Sequence, residues 1–129
     1  MKLLDTDHCI AILRKKLDLR EHLSPDEELA TTAISVAELM LGANRSLRKV
    51  ENLASLDILL SSLLVLSFDE AAGRVFGDLK AELEASGEIL DDLDLQIASI
   101  AIENNVPLIT NNTRHFSRIA QLQLQNWMQ

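Results

Sequence analysis

Short apolar runs alternate along the chain with longer segments whose apolar residues recur every three or four positions. Lys2-Leu3-Leu4 is a run of strand length that ends in the acidic, turn-forming Asp5-Thr6-Asp7, and Ile10, Leu13 and Leu17 follow at helical spacing. After the polar break Ser24-Pro25-Asp26-Glu27-Glu28, the run Leu29 to Val36 is rich in small and branched residues. It leads into Glu38-Leu39-Met40-Leu41-Gly42, with Gly42 a candidate helix end. Leu47, Val50, Leu53, Ala54 and Leu60 repeat at helical intervals. Leu63 to Phe68 is then an apolar run of strand length, where periodicity alone leaves continued helix open. Asp69 predicts the N-cap of a long helix with the stripe Ala72, Val75, Phe76, Leu79 and Leu83, stopped at Ser86-Gly87. Leu93, Ile97, Ile100 and Ala101 mark another helix, followed by a strand candidate at Val106 to Thr110, a polar loop at Asn111-Asn112-Thr113, and the run Leu122 to Leu124. Strands alternating with helices predict an α/β fold whose mainly parallel sheet is covered on both faces. Ligands in such sheets bind beyond the carboxyl ends of the strands.

Composition narrows the chemistry. With 129 residues the chain is expected to be one domain spanning residues 1–129, and 47% hydrophobic with 25% charged residues is ordinary for a folded protein. Twenty acids against twelve Lys and Arg give a formal charge of −8, the wrong overall sign for a protein held on nucleic acid by global electrostatics. A polyanionic substrate therefore needs local basic patches. Tyrosine is absent, and only Phe68, Phe76, Phe116 and Trp127 are aromatic, so the stacking rows of single-strand binding modules are missing. The single cysteine, Cys9, forms no internal disulfide and has no zinc-spaced partners, which favours a reducing compartment and makes the cytoplasm the expected location. No export signal or membrane span is expected: acids follow Met1-Lys2-Leu3-Leu4 at once, and the charge-free run Ile58 to Phe68 is short of the roughly 20 residues a spanning helix needs.

The strand-end rule selects a set of polar residues. Asp5 and Asp7 follow the first strand, Glu38 lies in the first turn after the second, and Asn111, Asn112 and His115 follow the strand near Val106 to Thr110. Asp94 opens the preceding helix, within the run Asp91-Asp92-Leu93-Asp94. Each has an ordinary structural role open to it. Asp5, Thr6 or Asp7 can cap the first helix. Ser35-Val36-Ala37-Glu38 fits a capping box, and Asp91, Asp92 and Asp94 suit the positive end of a helix. Their convergence on one edge favours another role. Like charges 4 Å apart repel by about 4 kcal/mol at an effective dielectric near 20, and a hard divalent cation with oxygen ligands relieves that repulsion. Zinc is disfavoured, because His8, His22 and His115 lack paired ligand spacing and Cys9 sits in an apolar stripe.

Four segments, taken in order, resemble a known family. Leu3-Leu4-Asp5-Thr6-Asp7, the stretch Ile34 to Ala43 around Glu38, Asp94-Leu95-Gln96-Ile97-Ala98-Ser99 and Leu108 to Phe116, closing with Asn126-Trp127, look like a PIN domain of the VapC toxin type. The resemblance implies a PIN-like three-layer α/β/α fold and a Mg²⁺- or Mn²⁺-dependent endoribonuclease. It also implies the toxin of a type II toxin–antitoxin pair, with RNA as substrate and a VapB-like antitoxin as partner. The family's acids fall on Asp5, Glu38 and Asp94, and the fourth position, usually Asp or Asn, falls on Asn112. These four are the expected catalytic and metal-holding residues. The acid often found three residues later is His115 here, so with three anionic ligands a second ion would be held weakly. Asp7 stands where the family often has Asn and partly restores the charge, while Thr6 and Thr110 are candidates for orienting water or a carboxylate.

The implied chemistry has Asp5, Glu38 and Asp94 holding an ion directly or through water, so that water attacks the phosphodiester in line. Basic sets at Arg14-Lys15-Lys16, Arg45-Arg48-Lys49 and Arg114-Arg118 are available for phosphates, with Arg45, Arg114 and Arg118 the named candidates and plain solvation the simpler role for each set. His115 is a candidate proton donor to the leaving group. The helices around Leu47 to Leu60 and Ala72 to Leu83 offer stripes for an antitoxin, a homodimer or the core. Two rivals remain at this stage. One is a non-catalytic or degenerate PIN-like binding domain. The other is a haloacid-dehalogenase-type phosphatase, suggested by Asp5-Thr6-Asp7 but lacking the expected Thr at the position of Cys9.

Overall fold

The strands of the sheet are two to four residues long, so helices rather than long ladders bury most of the apolar surface. In the computed structural model, which describes residues 1–128, the order is β1 (Lys2–Leu4), α1 (Thr6–Leu13), a 3₁₀ turn (Leu19–Glu21), β2 (Leu29–Thr32) and α2 (Ala33–Arg45). There follow α3 (Lys49–Ser61), β3 (Leu64–Leu66), α4 (Glu70–Ala85), α5 (Asp92–Glu103), β4 (Leu108–Ile109), α6 (Thr113–Phe116) and β5 (Leu124–Gln125). The five strands form one sheet in the order β3-β2-β1-β4-β5, with every pairing parallel. The register sets Leu3 opposite Ala30 and Leu108, and Leu4 opposite Ile109.

Side chains alternate across a strand, and here the alternation sorts the core into two layers. Leu3 and Leu108 face one cluster with Leu79, Leu83, Leu95 and Ile100 from α4 and α5. Leu4 and Ile109 face the other, with Cys9, Leu39, Leu56 and Leu59 from α1, α2 and α3. The expected three-layer α/β/α arrangement is therefore present. The chain runs outward from β1 through β2 to β3, then returns to the other side of β1 for β4 and β5, so the strand order reverses between β1 and β4. A crevice opens beyond strand ends at such a reversal.

Several local expectations need correction. The run Leu29 to Val36 splits at Thr32, whose side chain accepts from the Ser35 N–H at 3.0 Å and starts α2 there. Ile34 and Val36 are helical despite their branching. The cap thus lies three residues before Ser35, and the Ser35–Glu38 capping box does not form. Glu38 falls in the second turn of α2, not the first. Gly42 is interior to that helix, which continues until Ser46 closes it by donating its hydroxyl to the Ala43 carbonyl at 2.7 Å. The ambiguous run 63–68 contains strand β3.

The inward face of α3 is set by Leu56 and Leu59, while Leu47 and Val50, placed on the expected stripe, are exposed. Ile58 is exposed on the same helix, whereas Ala72, Leu79 and Leu83 of α4 are buried. Of the two stripes considered for partners, α3 presents outward apolar residues and α4 serves the core. The expected cap at Asp69 is formed, with its carboxylate accepting from the Ala72 N–H at 2.9 Å. Gly87, at φ 71°, supplies the left-handed residue that ends α4. No described helix is long and apolar enough to cross a membrane.

Candidate metal-dependent active site

Asp5 leaves the carboxyl end of β1 and is the N-cap of α1. Its Oδ1 accepts from the His8 backbone N–H at 2.9 Å and lies 3.0 Å from His8 Nδ1. The capping role and the site role are compatible, because both contacts fall on one oxygen. Among the described residues nothing else bonds the Asp5 carboxylate and no buried side-chain oxygen or nitrogen lacks a partner, so Oδ2 is accessible.

Glu38 is anchored in the same one-sided way. Thr6 Oγ1 donates to its Oε1 at 2.7 Å. A carboxylate only accepts, so the single Thr6 proton is committed to Glu38. Ser35 Oγ, 2.9 Å from Thr6 Oγ1, then supplies the proton of that contact, and Thr32 Oγ1 donates to Ser35 Oγ at 3.3 Å. A directed row of hydroxyls, Thr32 to Ser35 to Thr6, ends on Glu38. Thr6 is thus where the sequence placed it, as a residue orienting a carboxylate.

Asp94 enters from the opposite layer, on the first turn of α5. Its neighbours in the acidic run behave differently from it. Asp91 is the N-cap residue without a side-chain cap bond, and Asp92 accepts from Lys80 Nζ at 2.8 Å. The Asp94 carboxylate makes no hydrogen bond among the described residues. Partial burial, followed by the carboxylates of Asp91, Glu38 and Asp5, raises its pKa from 3.8 to about 6, with His115 pulling the other way. Asp5, Glu38 and His115 are therefore within electrostatic reach of Asp94. As they stand, no three described His, Cys, Asp or Glu side chains are close enough together to enclose an ion alone.

The supporting residues divide. Asn112 stands at the N-cap position of the short helix α6 without a side-chain cap bond, and its backbone N–H donates to Thr110 Oγ1 at 2.9 Å. Thr110 is fully buried and shapes that turn, so its hydroxyl does not reach water in the crevice as expected. Asp7 is exposed on α1 and is not among the charges acting on Asp94, so it does not restore the charge there. Arg118 is tied by Nη1 to the Ile89 carbonyl at 2.7 Å, where it steadies the loop before α5. Arg45 and Arg114 are exposed, in the last turn of α2 and in α6. A groove of about 260 Å³ between α1, α2 and α3, lined by Ile10, Leu13, Arg14, Leu39 and Leu56, reaches Glu38.

Sequence reasoning missed His8 as part of the site. It is fully buried, touches Asp5 through Nδ1, and accepts the Trp127 backbone N–H on Nε2 at 3.2 Å. The available signal was its adjacency to Asp5-Thr6-Asp7 on the buried side of a short helix. Cys9 is equally buried, with its thiol pushed up to about 12, mainly by burial and against a lowering hydrogen bond to Thr31. It is a core residue.

The family model that matches the chain is the PIN domain, over residues 2–122. Among curated proteins, "Ribonuclease VapC2" of Rickettsia felis is 39% identical, covering 97% of this chain and 96% of that protein. The "tRNA(fMet)-specific endonuclease VapC" of Shigella flexneri is 32% identical, covering 97% and 96%. Among solved structures, VapBC2 from Rickettsia felis bound to a promoter DNA fragment matches with a TM-score of 0.90 at 38% identity, covering 98% of each chain. DNA-bound VapBC from Salmonella typhimurium matches at 0.91 and 32%, covering 98% of this chain and 99% of that one. The chain belongs to the PIN-domain family, in its VapC ribonuclease branch. The likeness to a phosphatase motif at Asp5-Thr6-Asp7 is local only, since Asp7 is exposed and is not among the charges acting on Asp94.

Proposed function

We propose that this chain is a divalent-cation-dependent endoribonuclease that hydrolyses RNA phosphodiester bonds, and that it is the toxin of a pair with a VapB-like antitoxin in the cytoplasm. The observation carrying the metal dependence is the proton affinity of Asp94, raised to about 6 by burial and three neighbouring carboxylates with no donor supplied to offset them. Charge of that kind is stabilised by a cation. The donors fit Mg²⁺ or Mn²⁺, since they are hard carboxylate oxygens. Mg²⁺ is commonly held by one or two carboxylates and otherwise through water, so the ion does not require three protein ligands in direct contact.

In this reading Asp5 presents Oδ2 and Glu38 presents Oε2, each carboxylate held by its other oxygen, while Asp94 closes the set from α5. When bound, the dication supplies charge neutralisation and water acidic enough to be deprotonated near neutral pH. Asn112, at the start of α6, adds a neutral oxygen, and His115, within electrostatic reach of Asp94, is the candidate to hand a proton to the leaving oxygen. Arg45 and Arg114 are the exposed cations for flanking phosphates. The partner is supported by the VapBC structural relatives and by the outward apolar residues of α3, which suit a protein partner.

The test is incubation of the pure chain with unstructured RNA and, separately, p-nitrophenyl phosphate, each with Mg²⁺, Mn²⁺ or EDTA. Cation-dependent RNA cleavage, abolished by EDTA, is expected. Release of p-nitrophenol without RNA cleavage, or no reaction on either, contradicts the proposal.

A further inference from the structure

An imidazole fully buried beside Asp5 needs a reason, because a polar ring in a core costs free energy unless both nitrogens are satisfied. At His8 both are. The Trp127 backbone amide can only donate, so Nε2, 3.2 Å away, carries no proton. The single ring proton is therefore on Nδ1 and is donated to Asp5 Oδ1 at 3.0 Å. The helix start does not require this bond, since the His8 backbone N–H already gives Asp5 its capping contact at 2.9 Å. An aliphatic residue at position 8 would leave that cap intact but strand the Trp127 amide, so the Nε2 contact accounts for one face of the ring and the Nδ1 contact to Asp5 for the other. The ring adds a second donor on the same oxygen, which fixes the plane of the carboxylate and turns Oδ2 toward the crevice.

The ring is itself held from behind. Trp127 is buried, stacks on His22 with ring centroids 5.1 Å apart, and donates its indole N–H to Gln125 Oε1 at 3.2 Å. We infer that His8 is a positioning residue that orients Asp5 for cation binding, and that the segment following β5 locks it in that role through the Trp127 amide. The inference rests on the reading of Asp5 as an ion ligand. It makes the far end of the chain part of the site, without any residue there touching substrate.

Two substitutions separate the two contacts. In His8→Asn the side-chain amide can occupy the place of Nδ1 and donate to Asp5, while Trp127 loses its acceptor. In His8→Gln the carbonyl can reach the place of Nε2 and serve Trp127, while Asp5 loses its donor. The full-length wild type and both variants are titrated with Mn²⁺ without RNA, with free ion followed by electron paramagnetic resonance. Circular dichroism fixes a temperature at which all are folded. Both variants are expected to melt earlier, but only His8→Gln should bind Mn²⁺ more weakly, by about 10- to 100-fold, with His8→Asn rescuing most of the affinity. Wild-type affinity in His8→Gln, or equal losses in the two variants, overturns the inference. If the wild type itself binds no Mn²⁺, the metal reading fails at its root; if the wild type binds and His8→Gln matches it, only the role of His8 fails.

Discussion

Asp5 and Asp94 meet the same crevice from opposite layers of the fold, and they are held in opposite ways. Asp5 is buried, caps a helix and has two donors on one oxygen. Asp94 is half-buried, its carboxylate bonds to nothing among the described residues, and burial followed by the repulsion of its neighbours raises its pKa to about 6. The α1–α2 side of the site is thus organised by the fold itself, through His8 for Asp5 and through the Thr32–Ser35–Thr6 row for Glu38. The α5 side is left electrostatically open. A site divided in this way keeps part of its geometry fixed, while the unrelieved charge on the α5 side is what the proposed cation would neutralise.

The sharpest way to break the comparison is to remove each acid's side chain. Asp5→Ala deletes a cap and leaves the buried His8 Nδ1–H without its acceptor, so urea unfolding should register a loss of about 2 kcal/mol along with the loss of RNA cleavage. Asp94→Asn should cost no stability in the absence of metal, and equal destabilisation by the two changes would erase the distinction. Next in size is Thr6→Val, which removes the only donor on Glu38 Oε1. It is expected to lower stability by about 1 kcal/mol and cleavage by about tenfold, measured as initial rates at fixed cation concentration.

The smallest effect is on pH dependence. A carboxyl whose pKa rises on folding is protonated in the folded chain at pH values where the unfolded chain has already ionised. Stability from this group is therefore complete below 3.8, falls as pH rises toward about 6 and is level above that. At a half-exposed position solvent screening limits the fall to about 1 kcal/mol or less. Denaturation of the metal-free chain between those limits should show this component, and Asp94→Asn should lack it.

Much of this was legible from local pattern. Lys2-Leu3-Leu4, the Asp69 cap and the α4 stripe are read directly from apolar spacing and capping chemistry, and the strand-end rule points to Asp5 and Glu38, with Asp94 added from the start of the preceding helix. Where local chemistry offers two equivalent solutions, the reading goes astray. Thr32 and Ser35 are both good caps, and only the end of β2 after four residues decides for Thr32. On α3 the apolar residues run most of the way round the helix, and packing against α2 and the sheet, rather than spacing, selects Leu56 and Leu59. His8 was half legible: its adjacency to Asp5 stands in the sequence, but its second partner is 119 positions away, and a backbone amide leaves no trace in residue type.

The central claim is that repulsion among the acids is quenched by a bound dication, and the direct measurement is the unfolding free energy of wild type and Asp94→Asn with and without Mn²⁺. At about 100 times the dissociation constant the wild type should gain about 2.7 kcal/mol, while Asp94→Asn, as stable as the wild type or more so without metal, should gain little. An Asp94→Asn chain that unfolds on its own yet keeps the full response to Mn²⁺ would contradict the account, because Asp94 would then support the helix and not the ion.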